Sequence, residues 1–197
     1  MSFGFEKRID SIDDAIERVS KNETPPLFFA ATGNHGANQD TAWPASKSNV
    51  FGISSTDALG VRSPFNPPDE RSDSIFYALG EGFSSRALSY DRYDLSPPSD
   101  GISGTSYATP VAAGLAAILL GCVRMAVCLA PEDDLKRYEQ LPQNLKRMGG
   151  MKKVLQDHMS RAHNDGNKSL LPLEFFNDAR DYGNSWLNKI HRTLDKT

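Results

Sequence analysis

The chain has little from which a covalent framework could be built. Its 197 residues include two cysteines, Cys122 and Cys128. Six positions apart, they fall on different faces of a helix, so no disulfide between them is expected. A reducing compartment suits them better, and the expected location is intracellular, in the cytoplasm. The start, "MSFGFEKRIDS", turns charged after five residues, so no signal peptide is expected. Long hydrophobic runs are missing too. The longest, Val111 to Val123, is followed by Arg124 and falls short of the ~20 residues of a membrane span. No membrane association is expected, and the run reads as a buried helix.

Charge of one sign is equally scarce. Residues 1–130 carry 15 acids and 10 bases, and residues 131–197 carry 10 acids and 12 bases. Neither part is basic enough for a nucleic-acid surface. There is no Gly-rich phosphate loop ending in Lys-Ser/Thr, no aromatic-basic RNA motif, no internal repeat and no low-complexity tract. With 39% hydrophobic and 24% charged residues, a folded chain is expected.

What is present has an α/β grammar. "MSFGF" is strand-like. "SIDDAIERVSK" follows, with Ile12, Ala15, Ile16 and Val19 on one helical face and a Ser11–Asp14 capping pattern. "LFFAA" (Leu27 to Ala31) and "NVFGISS" (Asn49 to Ser55) are apolar runs suited to strands buried on both faces, as in a parallel sheet. Residues 57–100 read as short strands and long loops, "SIFYAL" among them. After a helix reaching about Leu129, two helical pieces are expected, interrupted near Pro142 and at Gly149-Gly150. A last helix is expected near the end, broken at Gly183. The expected division is 1–129 and a mostly helical extension, 130–197.

The chemistry concentrates in "GISGTSYATPVAAGLAAILL", Gly101 to Leu120. A serine at a helix N-terminus sits where free N–H groups and the positive end of the dipole converge, which stabilises an oxyanion. Gly104 allows a substrate's close approach, and Pro110, expected in the first turn, has no N–H to lose. A lone Ser before an apolar helix is more often an N-cap. Upstream, Asn34 follows a buried strand beside Gly33, at the carboxyl end of that strand, where α/β sheets bind ligands. Its amide suits an oxyanion donor.

"GTSYATPVAAG" resembles the nucleophile motif of the subtilisin-like serine peptidases. "AATGNHG…WPAS…NVFGISSTD" resembles their Asn-bearing segment, and "MSFGF" resembles the strand before it. The resemblance covers about Met1 to Leu120, and "GMKKVLQDHMS" is similar, less specifically, to tails of intracellular fungal members. It implies a parallel-sheet three-layer sandwich, here lacking its N-terminal part, and a serine endopeptidase acting on polypeptides. Ser106 is then the nucleophile, and Asn34 and the Ser106 N–H are the oxyanion donors. Ser2, Phe3 and Gly4 pair with the substrate backbone, and Ala31, Thr32 and Gly33 line the pocket for the residue before the scissile bond. No cofactor is implied. Asp40 and Asp57 are carboxylates that can meet a cation, calcium included, but their spacing does not argue for a metal site.

The family's Asp-Thr/Ser-Gly and His-Gly-Thr segments precede its strand-like motif, and this sequence contains neither. His35 neighbours Asn34 and reads as exposed loop; His158, His163 and His191 follow Ser106, and the first two read as solvated surface. Without a base to take its proton, Ser106 is an ordinary alcohol, and a positioned base typically contributes about 10²–10⁴-fold. The expectation is a C-terminal piece of a peptidase domain. The alternative is a non-catalytic module that keeps the peptide groove and lacks the chemistry. "YALGEG" also departs from the family pattern, with Ala78-Leu79-Gly80 where Ala-Pro-Gly is usual.

Overall fold

The computed structural model describes residues 1–68, 73–83, 101–162, 168–172, 175 and 185–195. The chain forms two compact units. Met1–Lys7 and Phe29–Val111 make the first, and Arg8–Phe28 and Ala112–Thr197 make the second. This differs from a boundary at residue 129. The early helix, and the apolar helix from Ala112 onward, group with the C-terminal helices, and Ile16, Ala116, Leu119 and Val123 are buried.

The first unit is built on three parallel strands: β1 (Phe29–Ala31), β2 (Phe51–Thr56) and β3 (Ile75–Leu79), in that order. Every residue of β1 and β2 is buried, Ser54, Ser55 and Thr56 included, as suits strands covered on both faces. Phe29 lies opposite Phe51 and their rings stack at 4.9 Å, while Phe51 meets Phe76 edge-on at 5.8 Å. Polar groups in the strands are satisfied internally. Asn66 accepts from the Ser55 N–H at 2.8 Å and donates to the Ser55 carbonyl at 2.7 Å, and the Ser63 hydroxyl donates to that of Ser55 at 2.9 Å.

"MSFGF" is not a full strand. Met1 runs beside β1, its carbonyl accepting from the Ala31 N–H at 3.1 Å, and Phe5 bridges Trp43 through two 2.8 Å backbone bonds. Among the described residues, the N–H and C=O groups of Phe3 and Gly4 have no partner. That leaves a short exposed backbone edge.

The second unit is mostly helical. It contains α1 (Asp10–Ser20), α3 (Glu132–Tyr138), α4 (Leu141–Lys146), α5 (Met148–His158) and α6 (Ser185–Leu194), with an antiparallel pair β4 (Ser160–Ala162) and β5 (Lys168–Leu170). Leu145, Met151, Leu155, Leu187 and Ile190 are fully buried. The expected Ser11–Asp14 cap is not formed. The helix starts at Asp10 with Ile9 at its N-cap, and Asp13 is buried against the Arg8 guanidinium at 2.7 Å. Three helices occupy 132–158 where two pieces were expected. Pro142 sits in the first turn of α4, which needs no N–H there. Gly149 and Gly150 lie inside α5 instead of breaking it. Gly150 is buried against the Asn144 carbonyl, so closely that a Cβ does not fit. His163 and Gly183 lie outside the described residues.

α2 (Thr105–Cys128) is the longest helix, 24 residues, with a mean hydropathy of 2.2 in its most apolar window. By length and composition alone it passes as a membrane span, although its longest unbroken apolar run does not. Ile118, Met125 and Leu129 expose apolar surface on and just after it.

Candidate functional site

α2 begins two residues after Ser103, and the site lies at its first turn. Gly104 takes φ +156°, and a Cβ there would lie 3.1 Å from the Asn34 side-chain amide. Glycine is needed for both reasons. The Gly104 N–H donates to the Gly80 carbonyl at 2.8 Å. Gly80 is itself packed against Ser55, the Gly104 carbonyl and Ala108 with no room for a side chain, so the end of β3 seats the loop before Ser106.

Asn34 leaves β1 through Gly33, whose φ of +115° turns the chain toward α2. The Gly33 N–H donates to the Thr105 hydroxyl at 3.2 Å, and the Thr105 N–H donates to Asn34 Oδ1 at 2.8 Å. An N–H can only donate, so this contact fixes which end of the amide faces Thr105. Asn34 Nδ2 therefore faces away from it and has no acceptor among the described residues. The Ser106 N–H, in the first turn of α2, also has none. Both donors are thus free, and the positive end of α2 lies at the Ser106 N–H.

The Ser106 hydroxyl donates to the Ser2 carbonyl at 2.8 Å. A carbonyl orients the hydroxyl but cannot take its proton. Pro110 departs from its expected position. α2 starts at Thr105, so Pro110 is its sixth residue, and the N–H it lacks is the one that would reach the Ser106 carbonyl. The Thr109 hydroxyl returns to the Thr105 carbonyl at 2.8 Å and steadies the same turn.

A cavity of about 520 Å³ opens beside Ser106 and Asn34. Of the residues expected to line it, Ala31 and Gly33 do, and so does Gly4. Thr32 does not: it is buried, and its hydroxyl is shared with Ser54 at 2.8 Å. Ser2 and Phe3 are exposed outside the cavity wall. Glu6, Gln39 and Thr41, which no sequence motif marks, form part of the wall, together with Asp40 and His35. Asp57 is otherwise engaged, accepting from the N–H groups of Leu59 and Val61. Among the described residues no three His, Cys, Asp or Glu side chains are grouped to hold a metal.

Residues 1–164 match the Peptidase_S8 subtilase family. The subtilisin-like protease het-Q2 of Podospora anserina is 32% identical over 134 residues, 66% of this chain and 34% of that protein. Among solved structures, the prenylagaramide maturation protease PagA superposes with a TM-score of 0.60 at 21% identity. It covers 88% of this chain and 58% of its own. A cold-adapted subtilisin-like serine proteinase superposes at 0.53 with 22% identity, covering 87% and 53%. The chain thus spans about a third of the first relative and a little over half of each structure. Its α/β fold is that of these structures.

Proposed function

The chain belongs to the subtilase family of serine peptidases, and from that membership we propose that Ser106 is a peptidase nucleophile and that Asn34 Nδ2 and the Ser106 N–H form its oxyanion hole. One observation carries this reading: both donors are free while Thr105 holds the Asn34 amide in the orientation that points Nδ2 elsewhere. A developing oxyanion would complete both hydrogen bonds without reorganising the site, and this kind of preorganisation is usually the largest catalytic contribution. The exposed Phe3 and Gly4 backbone supports a peptide substrate bound as an added strand. The free thiols of Cys122 and Cys128 support a reducing compartment.

A second reading, a peptide-binding module without hydrolysis, is favoured by the Ser106–Ser2 hydrogen bond. The hydroxyl is held by a group that accepts no proton, and the sequence has neither of the family's Asp and His segments. Hydrolysis then requires a base from outside the described site.

A fluorophosphonate probe separates these readings. The expected result is slow labelling at Ser106, accelerated by added imidazole and abolished in Ser106→Ala. Labelling that persists in Ser106→Ala, or none at Ser106 even with imidazole, overturns the nucleophile reading and leaves the binding module.

A further inference from the structure

We propose that the cavity beside Ser106 selects a long cationic side chain, lysine or arginine, at the residue before the scissile bond; this rests on the reading of Ser106 as the nucleophile. The cavity's volume, about 520 Å³, admits a long side chain, and its rim carries both Ser106 and Asn34. Two carboxylates, Glu6 and Asp40, stand in its wall, and no Lys or Arg does. The Gln39 amide donates to Glu6 Oε1 at 2.8 Å. That bond holds the carboxylate in place and leaves Oε2 without a partner among the described residues.

Phe5 and Ala42 offer apolar surface to the methylene stem of such a side chain. An acidic side chain would instead meet two like charges. A neutral one could at most donate hydrogen bonds to Glu6 and Asp40, without the charge attraction.

Glu6 and Asp40 are exposed, so solvent screens them and each contributes only a few-fold in affinity. Together they are expected to give about a tenfold preference for charge.

The test is noncovalent binding to the full chain. N-acetylated tetrapeptide acids ending in arginine, citrulline, leucine or glutamate are titrated at pH 8 and low salt. Citrulline has the shape of arginine without its charge. The expected order places arginine about tenfold above citrulline and glutamate last, with the arginine advantage shrinking at 1 M salt. In the E6Q/D40N double variant the arginine-to-citrulline ratio should fall to near one. Equal binding of arginine and citrulline, an unchanged ratio in the double variant, or no saturable binding by any peptide overturns the proposal. Probe labelling at Ser106, measured separately, tells failure of the cavity's selectivity from failure of the nucleophile reading.

Discussion

The Thr105 backbone N–H and Asn34 Oδ1 meet at 2.8 Å, and this contact decides what the other end of the amide can do. The neighbour of Ser106 in sequence thereby orients the Asn34 amide, 71 positions upstream. Asn34→Asp keeps an acceptor for Thr105 and removes the Nδ2 donor. Asn34→Leu removes both. Each is expected to slow imidazole-assisted fluorophosphonate labelling of Ser106 by about 10²–10³-fold. Equal rates in wild type and Asn34→Asp would remove Asn34 from the oxyanion hole.

Gly104→Ala tests the same geometry from the backbone side. The new Cβ would press on Asn34 Nδ2 at 3.1 Å and would hold alanine at a φ of +156°. Stability should fall by about 1–3 kcal/mol, read from urea unfolding. Labelling of Ser106 should slow along with it. A variant as stable and reactive as wild type would mean that the loop adjusts freely.

Two adjacent glycines in α5 are predicted to respond with opposite signs. Nothing lies within 4 Å of a Cβ at Gly149, so Gly149→Ala should stabilise the chain by about 0.5–1 kcal/mol through helix propensity. At Gly150 the Cβ would collide with the Asn144 carbonyl. Gly150→Ala should therefore destabilise by about 1–3 kcal/mol. Thermal melts of the two variants give the comparison, and matching shifts in Tm would contradict it.

The second unit should lose stability in mild acid. Burial pushes the His158 imidazole below its ordinary value of 6.5, with Asp157 opposing the shift and Lys189 adding to it. In the folded chain its Nε2 shares a hydrogen with the Thr193 hydroxyl at 2.8 Å. The unfolded chain takes up the proton first as pH falls. The contribution is therefore fully present above about 6.5 and is lost as pH drops toward the lower folded value. Urea midpoints compared between pH 7.5 and 5.5 should show this slope, and His158→Asn should flatten part of it.

The parts of the fold legible in the sequence were those set by unbroken local pattern. β2 lies within two residues of its expected bounds, and α2 ends one residue before the expected Leu129, although it starts earlier than a first-turn Pro110 implied. Ser106 and Asn34 stand out in the sequence by the neighbours they keep, and the structure brings those neighbours, Gly104, Gly33 and Thr105, together. The cavity's chemistry was not legible. Glu6 and Gln39 are 33 positions apart and come together beside the Phe5–Trp43 bridge, a pairing that no local pattern announces. Thr32 was misread for a related reason. Its sequence position suggests the cavity, but strand alternation turns its hydroxyl to Ser54. Gly149 and Gly150 looked like breakers, because close approach of a carbonyl is a tertiary fact.

The hydrogen bond from Ser106 to Ser2 has a consequence for measurement. Ser2 directly precedes Phe3 and Gly4, whose backbone groups await a partner strand. The hydroxyl and that edge therefore belong to one linked equilibrium. A peptide on that edge and a reversible ligand of the Ser106 hydroxyl would then change each other's affinity by the same factor. Peptide titrations with and without a reversible boronic acid, and boronic acid titrations with and without peptide, would give that factor from either direction.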